Sequence, residues 1–133
     1  MSMFSSIDIS RTGVDAMQTW IDTSAGNIAN ADDATSTAKG TYADQQAVFT
    51  PVGTAGSAGA GVAVSVTAGG TAGTVLPDPT SPLANASGEV RRPAVSVSDE
   101  LVNLMQAQDG YQANTSAISR ATAAYQAALT IGG

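Results

Sequence analysis

Lys39-Gly40-Thr41 and the glycine-rich run 53–61 invite a test for phosphate binding. A P-loop needs Gly-Lys-Ser/Thr after a strand, so that backbone N–H groups and a lysine converge on phosphate oxygens. Here the order is reversed, and Lys39 is the sole lysine. Asp32-Asp33, near Asn27 and Asn30, offers oxygen ligands to a hard cation. It lacks the alternating ligand spacing and distant Glu of an EF-hand, and reads as a solvated helix-end loop. Asp78, Glu89, Asp99 and Glu100 are the candidates for a glycosidase pair, and nothing in the sequence brings two of them together. Ser and Thr are plentiful, but there is no His to activate them and no Cys to act as thiolate or zinc ligand. These patterns argue against an enzyme, a small-molecule substrate, a cofactor and a metal site.

Arg91-Arg92-Pro93 is the one basic cluster. It reads as two exposed arginines ahead of a Pro turn, with a docking contact as the rival reading. Trp20 and Tyr111 read as packing residues near helix seams. The net charge of −6 disfavours nucleic acid and anionic membranes as partners, because both select basic patches. No stretch reaches the ~18 apolar residues of a membrane span, so direct membrane insertion is not expected. Met1–Asp8 shows no basic n-region, which fits a cytosolic protein or one exported without a cleaved signal peptide.

The elements that must carry any function divide the chain into 1–31, 32–95 and 96–133. In the first, Ile7, Val14, Ile21 and Ile28 recur every seven residues, with Met17 and Ala31 at the alternate position and Ser10 and Ser24 in its other slots. Asp8 and Asp15 flank Arg11 at pairing distance on a helix. Gly13 weakens this helix by roughly 1 kcal/mol relative to Ala. In the last region Leu104, Tyr111, Ile118 and Tyr125 form one seven-residue ladder, and Leu101, Gln108, Thr115, Thr122 and Leu129 the alternate one. Ser96 and Asp99 fit a capping box, and Gly132-Gly133 closes the chain. The spacing predicts helices over 5–31 and 96–131. From Thr50 to Gly88 there is one charge, Asp78, and eight glycines. Alternation predicts a strand around Val62, Val64 and Val66, and Gln46–Pro51, with Val48 and Phe49, reads as a second possible strand. Run 53–61 reads as a flexible loop, and Pro77–Pro82 as extended or turn. The fold class is mainly α: terminal helices paired as an antiparallel coiled coil around a small β-rich, loop-rich middle.

The longer helix carries only Asp99, Glu100, Asp109 and Arg120, where a usual frequency gives about nine charges. Its remaining positions are largely Ala, Gln, Asn, Ser and Thr. Small side chains permit close helix approach, and neutral amides desolvate more cheaply than carboxylates. Such helices suit contact on several sides, hence multi-subunit packing. The competing reading is an ordinary Ala-rich hairpin.

Asn27-Ile28-Ala29-Asn30-Ala31 after an amphipathic helix resembles the N-terminal signature of bacterial flagellar rod and hook proteins. Tyr42-Ala43-Asp44-Gln45-Gln46-Ala47-Val48-Phe49 is similar to that family's Tyr-x-x-Gln-x-Val-Phe strand, and Gly61-Val62-Ala63-Val64 to its Gly-Val-x-Val strand. Asn85–Val90 with Pro93-Ala94-Val95 resembles an Asn-x-x-Gly-Tyr-Val-x-x-Pro-Asn-Val segment. Glu100–Asn114 resembles Glu-Met-Val-x-Met-x-x-Ala-x-x-Ala-Tyr-x-Ala-Asn. Glu89, Ala94, Gly110 and the Gly/Ala/Thr-rich stretch 53–76 depart from the pattern. Length and segment order point to the proximal-rod members. The resemblance implies a non-enzymatic rod subunit whose paired terminal helices lie along the axis of a periplasm-crossing rod that transmits torque. It implies export by the flagellar apparatus and, as partners, other flagellar rod proteins and copies of itself. The expected assembly interface is Ile7, Val14, Ile21, Asn27, Ile28, Asn30, Leu101, Leu104, Tyr111, Asn114, Ile118 and Tyr125. Rivals are a cytosolic helical-hairpin adaptor or secretion chaperone, and a low-complexity surface protein.

Overall fold

The computed structural model describes residues 3–53 and 60–131. Two long helices, α1 (Met3–Asn30) and α2 (Val97–Ile131), bracket four strands: β1 (Gln45–Val52), β2 (Gly61–Ala68), β3 (Thr74–Pro77) and β4 (Glu89–Arg92). Ser96 starts α2 as expected. Its carbonyl accepts the Glu100 N–H at 3.0 Å, and its hydroxyl accepts the Asp99 N–H at 3.4 Å. At the end of α1, the Asn30 amide donates to the Gly26 carbonyl at 2.7 Å, occupying one of the last-turn acceptors. Of the glycine-rich run 53–61, residues 54–59 lie outside the described residues, as does Gly132-Gly133.

The helices lie along each other. Phe4 meets Tyr125 edge-on with ring centroids 5.5 Å apart. Gly13 faces Asn114, Gly110 faces Met17, and Asn27 bonds Glu100. Partner numbers fall along α2 as they rise along α1, so the helices run in opposite directions. The most deeply buried side chains of this contact are small or polar: Ala16, Thr23, Ser24 and Asn27 on α1, and Ala107 on α2. The ladder Ile7, Val14, Ile21, Ile28 is only half-buried. It flanks a seam centred about one residue earlier, a turn of roughly 100° on the helix.

On α2 the expected alternate ladder is displaced. Leu101, Gln108, Thr115, Thr122 and Leu129 face solvent, and Glu100, Ala107, Asn114 and Ala121 take the inward place. The physical reason is backbone approach. Gly13, Ala16, Ala107 and Gly110 let the axes come close, and bulky side chains are then pushed to the flanks. Arg11 forms no ion pair among the described residues; it is exposed, and such pairs are worth little.

β1 and β2 pair antiparallel, with Phe49 opposite Val64. This hairpin sits on α1. The Val62 N–H donates to the Thr12 hydroxyl at 3.0 Å, which itself donates to the Ile9 carbonyl at 2.8 Å. Gly61 is held at φ +122° against Thr12, where a side chain would collide. Trp20 meets Phe49 edge-on at 5.5 Å. β3 and β4 form a second antiparallel hairpin, with Leu76 opposite fully buried Val90. Neither of these short strands has the alternation that marks β2.

Arg91 and Arg92 are not an exposed pair. The Arg91 guanidinium donates to the Ala72 carbonyl at 2.6 Å and to the Thr37 carbonyl at 3.0 Å. Arg92 pairs with Asp32 at 3.1 Å and Asp78 at 3.7 Å. They tie three loops to β4, and Asp32 is thereby engaged by a cation of the chain itself.

Gly13→Ala tests the close seam. Its helix-propensity gain of roughly 1 kcal/mol is opposed by a collision with the Asn114 side chain, which donates to the Gly110 carbonyl at 2.8 Å. We expect a net loss of about 1 kcal/mol in thermal or urea unfolding, reversed when Gly13→Ala is combined with Asn114→Ala. A stabilised single variant contradicts the seam.

Candidate functional site

Asn27 is completely buried, and each of its amide atoms is used twice. Its nitrogen donates to the Gln45 carbonyl at 2.7 Å and to Glu100 Oε1 at 3.0 Å. Its oxygen accepts the Gln45 N–H at 2.8 Å and the Tyr42 hydroxyl at 3.0 Å. A primary amide has two donor hydrogens and two acceptor lone pairs, so this side chain is saturated. It joins α1 to the loop before β1, to the first residue of β1 and to the first turn of α2. The bidentate pairing with Gln45 continues the strand's hydrogen-bond pattern onto a helix. Carboxamide geometry is what permits it: Asp cannot donate, and Ala leaves four groups unpaired.

Tyr42 titrates above its ordinary value of 10.0, chiefly because burial disfavours the phenolate, with the carboxylates of Asp44 and Glu100 adding repulsion. The neutral phenol is the form that donates to Asn27.

Beside this junction lies an open groove of about 230 Å³ between α1, β1 and the start of α2, lined by residues that include Trp20, Gln45, Phe49, Glu100 and Asn103. On the same first turns of α2, Val97, Leu101, Val102 and Met105 expose apolar side chains. Among the described residues no three His, Cys, Asp or Glu side chains group as metal ligands, and no helix is long and apolar enough to cross a membrane.

The expected interface residues therefore separate. Asn27 is the buried hub. Ile7, Val14, Ile21, Ile28, Asn30, Leu104, Tyr111, Asn114 and Ile118 are half-buried along the helix contact. Leu101 and Tyr125 are exposed at 47% and 39%. Sequence reasoning did not connect Tyr42, Gln45 and Glu100 to Asn27, although all four stand in the quoted motifs. It also passed over the small residues Gly13, Ala16, Ala107 and Gly110. Their helical spacing of three is a readable sign of close packing.

Asn27→Ala should loosen the junction by about 2–4 kcal/mol, because it strands polar groups of three elements. Trp20 is the only tryptophan, so its fluorescence during urea unfolding reports the loss. Asn27→Asp should recover little of it. An unshifted midpoint contradicts the hub.

Tyr42 supplies a pH signature. Below about pH 10 both folded and unfolded chains hold the phenolic proton, and stability is unaffected. Above it the unfolded chain ionises first, so stability falls until the raised folded value is passed. Comparison of wild type with Tyr42→Phe between pH 9 and 11.5 should remove that component of the slope.

A family model described as flagellar basal body rod FlgEFG protein C-terminal matches residues 86–131. The flagellar basal-body rod protein FlgC of Salmonella typhimurium is 33% identical over 133 residues, covering 99% of both chains. FlgC of Yersinia enterocolitica is 34% identical with the same coverage. FlgC of Bacillus subtilis is 28% identical over 151 aligned positions, again covering 99% of each.

Proposed function

This chain belongs to the FlgC family of flagellar basal-body rod proteins, and on that premise we propose that it is a structural rod subunit of the flagellum working by helix packing rather than by catalysis. The observation that carries the mechanism is the surface of α2. Of its 35 residues only Ala107 is buried, yet the exposed remainder is mostly small, neutral or apolar, with Asp99, Asp109 and Arg120 as its exposed charges. A helix meant for water presents Lys and Glu there. Its exposed Leu101, Val102 and Met105 would otherwise face solvent unpaired.

α1 and α2 pair as an antiparallel coiled coil in the assembled rod. Ile7, Val14, Ile21 and Ile28, with Leu104, Tyr111, Ile118 and Tyr125, extend the small-residue seam to neighbouring subunits. Leu101 and the outer face of α2 meet sister rod proteins or further copies of the chain. A two-helix contact with so little fully buried bulk is marginal alone, so the free subunit's terminal helices gain order on assembly. That suits passage through the flagellar export apparatus without a cleaved signal. The rod so built spans the periplasm and carries torque.

Light scattering at rising concentration, followed by electron microscopy, tests this reading. We expect growing polymers with sister subunits and a rise in helical circular dichroism on assembly. Ile21→Asp should cut assembly by introducing a charge that costs on the order of 3 kcal/mol to desolvate. A fully helical, cooperatively melting monomer that forms only a one-to-one complex supports an adaptor instead.

A further inference from the structure

The groove beside Asn27 has the chemistry of a guanidinium site. Glu100 is its only charged lining residue. One carboxylate oxygen of Glu100 accepts from Asn27 at 3.0 Å, and the other has no hydrogen-bond partner among the described residues. The Trp20 indole is held edge-on to Phe49, and Gln45 and Asn103 add amide groups to the rim. An indole, a carboxylate and neutral amides together favour a planar, weakly hydrated cation over an ammonium.

The chain carries a side chain that matches. Among the described residues Arg11, Lys39 and Arg120 form no ion pair. Arg11 has Asp8 and Asp15 within a helical turn, and Lys39 ends in an ammonium. Arg120 is exposed on α2 with Ser116, Ala117, Ala121, Ala123 and Ala124 around it, and the nearest acid in the sequence is Asp109. Small neighbours make it the protruding group of its face. It stands 20 residues beyond Glu100. That is roughly 30 Å along the helix and about 200° around it, so it cannot reach its own groove.

We propose that Arg120 of one copy seats in the Trp20–Glu100 groove of a second copy. Arg120 and the groove lie roughly 30 Å apart along the chain, so between copies arranged head to tail the contact is heterologous and repeats from one copy to the next, as a helical array requires. The proposal builds on the rod reading by naming one contact between copies.

The chain has no cysteine, so a cross-link can be placed without background. Asn103→Cys protein mixed with Ser116→Cys protein should form a disulfide between copies under mild oxidation. Adding Arg120→Gln to the second protein should lower the yield about three- to tenfold, as should Glu100→Gln in the first, and both together should do no more than either. Trp20 fluorescence checks that Glu100→Gln, which keeps an acceptor for Asn27, leaves the junction folded. Full yield with Arg120→Gln overturns the proposal. So does a loss confined to Glu100→Gln, which assigns the groove to another chain's cation. Rods that assemble without the cross-link overturn the contact and leave the rod reading standing. Absence of any rods, with the cross-link formed, does the reverse.

Discussion

The saturated amide of Asn27 is the constraint on which the rest of the structure depends. A buried polar group is stable only when its hydrogen bonds are complete, and here completion requires three other segments at once. Tyr42 must return from the loop, Gln45 must open β1 in register, and Glu100 must bring the first turn of α2 against the last turns of α1. Each partner is separately distant in sequence, so the amide converts a long, weakly buried chain into one defined junction. Apolar packing alone could slide along the helices; four directional bonds cannot.

The helix contact that extends from this junction is built on nearness rather than bulk. Gly13 against Asn114 and Gly110 against Met17 bring the axes together. Ala16 and Ala107 fill the space between. Dispersion over a close interface is strong, but little apolar surface leaves water in the process, and the larger side chains remain on the flanks. The molecule is consequently unsaturated: well ordered at the Asn27 end, and offering half-buried isoleucines and exposed leucine and methionine along its length. That is the physical state the proposed assembly calls for, in which neighbours would complete the hydrophobic burial.

The middle segment follows a different logic. It has little apolar bulk, with Val90 as its fully buried large side chain. Backbone pairing and Arg91 and Arg92 hold it instead, the guanidiniums reaching carbonyls and carboxylates on loops far apart in sequence. Arg suits this task because its fork of donors satisfies several acceptors from one position. The β1–β2 hairpin is fastened through Thr12 and Trp20, so α1 serves both as a packing rod and as the base of the sheet.

Periodicity determined much of this in advance. Seven-residue spacing located both long helices, Ser96 marked the start of α2, alternation found β2, and Val48 with Phe49 pointed to β1, because these signals are local and each residue carries its own share. The resemblance to rod proteins was likewise written in contiguous motifs. Tertiary structure alone decided the rotation of the seam, since ladders of large residues mark an apolar side but not how near two backbones come. It also decided the roles of Arg91 and Arg92, whose partners lie 14 to 60 residues away, and the union of Asn27 with Tyr42, Gln45 and Glu100. A hydrogen bond between distant segments depends on their relative placement in space, and no spacing along the chain encodes that placement.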